Sequence, residues 1–198
     1  MNMWFWLSLI ALLCWSGSDL FSKIGCQGED DKLSHLKMVI AVGVVMGLHA
    51  AYEVFIGGVE INPGGFVTYL PVSLLYISSM AIGYLGLRYI ELSISSPICN
   101  SSGALVAVLS IITGTALLAP AQYAAMALVC VGVIGLGVVE AREDDDLRLK
   151  RQEAGNYRYS KSALALILPI LYSVLDALAT FADSKVLETR NEDRPHCA

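Results

Sequence analysis

The sequence predicts an all-α membrane protein, a multi-span helical bundle, on three observations. Hydrophobic residues make up 56% of the 198 and charged residues only 16%, against roughly 45–50% and 25% in an ordinary soluble domain. The apolar residues are packed into six blocks, with all 13 Lys and Arg outside the block centres. A hydrocarbon core of ~30 Å needs about 20 apolar residues per helix, so each block is a span. Lastly, a pattern of polar and aromatic residues in the first block returns in the sixth. The mean hydropathy of +0.61 agrees. These features exclude a soluble enzyme and a disulfide-stapled secreted module. The net charge of -5 leaves no basic footprint for nucleic acid. Cys14, Cys26, Cys99 and Cys130 lie in or beside apolar runs without metal-ligand spacing and read as small buried apolar residues.

The first span is expected over Trp4–Ile24. Ser16-Gly17-Ser18 resembles a signal cleavage site, but no Lys or Arg precedes the run and its length suits a span. Trp4 and Trp6 then anchor its outer end at the interface. After the polar loop Gly25–His35, span two covers Leu36–Ile56 and contains Gly43-x-x-x-Gly47, which lets another helix approach closely. Gly57-Gly58 and Asn62-Pro63-Gly64-Gly65 break the chain before span three, Phe66–Tyr89, with Pro71, Gly83 and Gly86 inside it. The junction Arg88–Ser96 is short enough to force antiparallel neighbours. Span four is Pro97–Leu118, opened by a proline whose missing N–H is harmless there. Ala119-Pro120 turns the chain into span five, Gln122–Val139. Residues 140–161 form a linker with six acidic and six basic side chains, a solvated stretch of balanced charge. Span six is Ser162–Phe181, and residues 182–198 form a polar tail.

Sliding span six over span one pairs Trp15 with Tyr172, Ser16 with Ser173 and Asp19 with Asp176. Intramembrane Asp is rare, because a centred charge costs about 3 kcal/mol on insertion scales. Two at equivalent positions are no accident. Five spans separate the copies, so span six crosses in the direction opposite to span one. That is an inverted-topology repeat, the architecture of many secondary transporters. Residues 1–139 are the first five-helix repeat, and 162–181 is the first helix of a second, truncated one.

The residues resemble the EamA family of the drug/metabolite transporter superfamily, built from two repeats of five helices. Trp15-Ser16-Gly17-Ser18-Asp19 followed by Lys23 is similar to the family's first helix. Leu87-Arg88-Tyr89 with Ser93, Ser95 and Ser96 resembles its helix three to four junction, and Gln122 with Gly132-Val133 its fifth helix. Gly114-Thr115 departs from the Gly-Glu often found at the end of helix four. The resemblance implies ten spans where this chain has six. The sequence is therefore expected to be a fragment, or to need a partner chain, such as a second copy, to complete its bundle.

Asp19 is the leading functional residue, positioned to bind a substrate amine or pass a proton; its bland reading is an intrahelical pair with Lys23 at i+4. Asp176 has no basic residue at i±3 or i±4. His49 and Glu53, at i and i+4, read either as a proton relay or as a snorkelling interfacial pair. Arg88 and Glu91 cap the short junction. Asn100, Ser101 and Ser102 open helix four as solute contacts or as hydrogen-bonding glue. No catalytic triad, metal site, phosphate loop or cofactor motif is present, so an enzyme is not expected.

The expected function is a secondary transporter of a small organic metabolite or drug in the cytoplasmic membrane, working by alternating access, with proton coupling as one option. Spans one and six would line the path. The alternative is a non-transporting scaffold or partner-dependent subunit; a dimeric four-span multidrug exporter fits less well because of the sixth span and the linker. Lys and Arg counts put the N-terminus outside, mainly through the 140–161 linker, whereas the family resemblance implies the reverse.

Overall fold

The computed structural model describes residues 3–26, 33–58, 63–115, 119–142, 144, 146–147, 150 and 163–192. Seven helices follow one another in chain order among the described residues. They are α1 (Met3–Cys26), α2 (Ser34–Phe55), α3 (Pro63–Leu87), α4 (Leu92–Cys99), α5 (Ser102–Ile112), α6 (Pro120–Ala141) and α7 (Ala163–Glu192). There is no strand among the described residues. Among the described residues, six stretches are long and apolar enough to cross a membrane, with α4 and α5 together forming the fourth, Leu92–Ile112. Their large apolar side chains are widely exposed, among them Leu13, Val45, Phe66, Leu128 and Val131. Such a surface suits lipid, and helices are the form that satisfies every backbone group there. The chain is a multi-pass helical membrane protein.

Hydrophobic burial drives little helix association in lipid, so close packing and hydrogen bonds must hold the spans together. The strongest pairing is α3 with α7, and α3 shows why. A Cβ added at Gly83 would lie 2.6 Å from Cδ2 of Tyr172, and one at Gly86 3.3 Å from Cβ of Leu168. Both glycines let α7 sit close. Pro169 is fully buried at the same contact. Tyr76 adds a hydrogen bond, its hydroxyl donating to Thr180 Oγ1 at 3.1 Å. Short α4 lies at the centre, against α1, α3, α6 and α7. Ile90, just before it, and Ile94 and Ile98 on it are buried against Val133, Leu136 and Leu166, an i, i+4, i+8 stripe.

The observed spans depart from expectation at several ends: Pro63-Gly64-Gly65, expected to break the chain, form the first turn of α3, which ends at Leu87 rather than Tyr89. Span four begins at Leu92, not Pro97, which falls inside α4. Of the serines before Pro97, Ser95 is 0% exposed, Ser96 half-buried and Ser93 exposed, and all three lie on α4. The span ends at Ile112, before the expected Leu118, where Gly114 takes φ 69°. Gly114 N–H donates to Ile111 O and Thr115 N–H to Ser110 O, a left-handed C-terminal cap that glycine permits without strain. The helix is also interrupted at Asn100-Ser101, where Ser101 N–H bonds three residues back to Ile98 O. At the other end of the chain, α7 runs through Glu192, so the first part of the expected polar tail is helical. A Lys185–Glu188 ion pair of 2.7 Å at i, i+3 lies on that extension. Most of the 140–161 linker lies outside the described residues, as do 27–32 and 59–62 of the expected loops.

Candidate functional site

Three helices present the same spacing to one cavity. From α1 come Trp15, Ser18, Asp19 and Ser22; from α3, Met80, Gly83, Tyr84 and Leu87; from α4, Leu92, Ser95, Ser96 and Cys99. Each set is i, i+3, i+4, i+7, one face of a helix. Asn100 and, from α7, Tyr172 complete the lining. The cavity measures about 70 Å³, where one water needs about 10–15 Å³. It holds several waters or a small head group.

Asp19 is the acid of this cavity. At 1.5 Å per residue it lies about 10 Å inside the Cys26 end of its span. Its Oδ2 accepts a hydrogen bond from Ser96 Oγ at 2.6 Å and a long one from Asn100 Nδ2 at 3.5 Å. Asn100 Nδ2 also donates to the carbonyl of Ser96 at 2.8 Å and to its Oγ at 3.0 Å, binding the two donors into one unit at the end of α4.

Lys23 does not pair with Asp19. Its ammonium is buried and donates to the carbonyl oxygens of Leu87 and, at 2.6 Å, Ile90. The Leu87 carbonyl ends α3, where a helix dipole favours a cation, and that of Ile90 lies in the turn that follows. Lys23 thus ties α1 to the α3–α4 corner. The corner itself turns over Arg88–Glu91, and Ser93 Oγ donates to Glu91 Oε2 at 3.2 Å. At the same end, Ser34 Oγ donates to the carbonyl of Cys26 at 3.1 Å and joins α2 to α1.

The structure brings together Trp15, Asp19, Asn100 and Tyr172 of the residues singled out from sequence. The others lie elsewhere. Ser16 is exposed and donates back to Leu12 O at 2.9 Å. Ser173 is buried, its Oγ 3.2 Å from Ser101 Oγ, linking α7 to the interrupted span. Asp176 lies one turn beyond Tyr172 on α7, half-buried and outside the cavity lining. His49 is exposed on α2 and Glu53 half-buried, and no hydrogen bond or ion pair joins them. Trp6 is exposed and meets Phe5 edge-on, ring centres 5.8 Å apart.

Tyr84, Ser96 and Gly83 were not singled out as site residues from sequence. The available signal was the i, i+3, i+4, i+7 run of small, polar and aromatic residues in α3 and α4, parallel to that of α1. Among the described residues, no group of three His, Cys, Asp or Glu is placed to hold a metal ion.

The fold and this cavity define a class: a multi-pass helical membrane protein with an acid-bearing cavity between its spans. No family model matches the chain, and no curated protein or solved structure matches it either. The chemistry of the cavity is the ground for its function.

Proposed function

We propose that the chain works as a secondary transporter of a small organic solute by alternating access, as an EamA-type member of the drug/metabolite transporter superfamily. The observation that carries this is Asp19, a carboxyl group held inside a span, donated to by α4 and lining a cavity that four helices build. Keeping such a group in a membrane costs energy, and intramembrane acids mark solute and proton paths. An interrupted helix beside the cavity is a further feature of transporter binding sites. The inverted repeat supports the same reading: Trp15 and Tyr172, one from each copy, line the same cavity. We place the protein in the cytoplasmic membrane, with the bundle completed by further second-repeat helices or by a partner chain such as a second copy.

The test is solute counterflow in proteoliposomes, using a panel of labelled metabolites and drugs at several pH values. The wild-type protein should accumulate at least one solute. Asp19→Asn should lower that signal about tenfold or more. Unchanged counterflow in that variant would overturn the reading. A second reading, a non-transporting scaffold or partner-dependent subunit, is favoured by one observation. Nothing lies within 4 Å of a Cβ added at Gly43 or Gly47, so this close-packing face of α2 is open. Absence of counterflow across the panel would select it.

A further inference from the structure

The lining of the cavity discriminates between charge types. Ser96 and Asn100 both donate to the same oxygen of Asp19, Oδ2. The other oxygen, Oδ1, accepts no hydrogen bond from the described residues. A carboxylate held on one side and open on the other is ready to accept N–H donors. Three aromatic side chains share the cavity with it, Trp15, Tyr84 and Tyr172. Aromatic rings attract cations through their electron-rich faces. No Lys, Arg or His is among the lining residues, and the nearby Lys23 ammonium is bound to backbone carbonyls. An anionic solute would meet an acid with no countercharge, a costly placement in a low-dielectric site.

We propose that the solute recognised here is a small organic ammonium ion: Asp19 Oδ1 would accept its N–H groups, and Trp15, Tyr84 and Tyr172 would flank its charge. This rests on the solute-site reading of the same cavity and names the chemical class. The volume limits the part of the solute held to an ammonium head and a short carbon chain.

The test uses the full chain in detergent, with n-propylammonium, tetramethylammonium, n-propanol and propionate as probes at constant ionic strength. Binding is read by thermal stability and by tryptophan fluorescence, since Trp15 lines the cavity. n-Propylammonium should bind at least about tenfold more tightly than n-propanol or propionate, and Asp19→Asn should remove that preference. Trp15→Leu, which leaves the acid in place, should weaken tetramethylammonium by about threefold or more. If Asp19→Asn does not fold, the Trp15→Leu result decides. Equal affinity for ammonium and alcohol, or a preference for propionate, overturns the proposal. Counterflow of a neutral or anionic solute without ammonium binding overturns this inference alone. Ammonium binding without any counterflow supports it and removes the transporter reading. Neither binding nor counterflow overturns both.

Discussion

The site depends on contacts between residues far apart in the chain. Asp19 stands out in sequence because an acid within an apolar run is costly, and Tyr172 because it occupies the place in span six that Trp15 occupies in span one. Gly83 is different. Its sequence context shows only an internal glycine, and its reason is a tyrosine ring on α7 that nothing local announces. Gly83→Ala should destabilise the protein by about 1–3 kcal/mol, since the ring or the helix must move. The cost should fall in a Tyr172→Ala background, leaving a coupling of about 1 kcal/mol in a double-mutant cycle. Thermal unfolding in detergent of the four proteins measures it. Additive losses would show that the ring is not what the glycine accommodates. Ser16 and Ser173 make the complementary point: the same spacing in two helices places one hydroxyl on its own helix backbone and the other against Ser101.

Helix by helix, apolar run length located the spans, but the edges of span four were misplaced. Ser93, Ser95 and Ser96 read as junction residues by composition. The bundle supplies what their composition hides, a buried position for Ser95 and an acid for Ser96 to donate to. Small polar residues inside a membrane bundle serve as interhelical glue, and that role depends on neighbours the sequence does not name. Lys23 is a similar case. Its i+4 spacing from Asp19 suggested an ion pair, while the structure turns it to the C-terminal end of α3. Lys23→Met should lower stability by about 1–3 kcal/mol, because the last carbonyl of α3 and one in the turn after it lose a charged donor. The loss is smaller than the bonds alone imply, since the variant no longer buries a charge. An unchanged melting temperature would mean that water or a neighbouring group replaces the ammonium without cost.

For the whole molecule, six apolar blocks and their order were legible from length and composition, but which span packs on which was not. Every span shows apolar residues on all sides, and lipid and protein accept them equally well. What decides the pairing is sparse: Gly83 and Gly86 on α3, Pro169 on α7, and the hydrogen bond from Tyr76 to Thr180. These bring α7 against α3, and through Tyr172 to the cavity of Asp19. The central claim is that this cavity is a water-reachable solute site within a membrane-spanning bundle. Single-cysteine labelling in membrane vesicles, in an otherwise cysteine-free protein, tests it most directly. Ser18 lines the cavity, whereas Leu20 lies close in depth, 52% exposed and outside the lining. A membrane-impermeant polar maleimide should react with the cysteine of Ser18→Cys from one side of the membrane and leave that of Leu20→Cys unmodified. Equal labelling of the two positions, or none at either, would contradict the account.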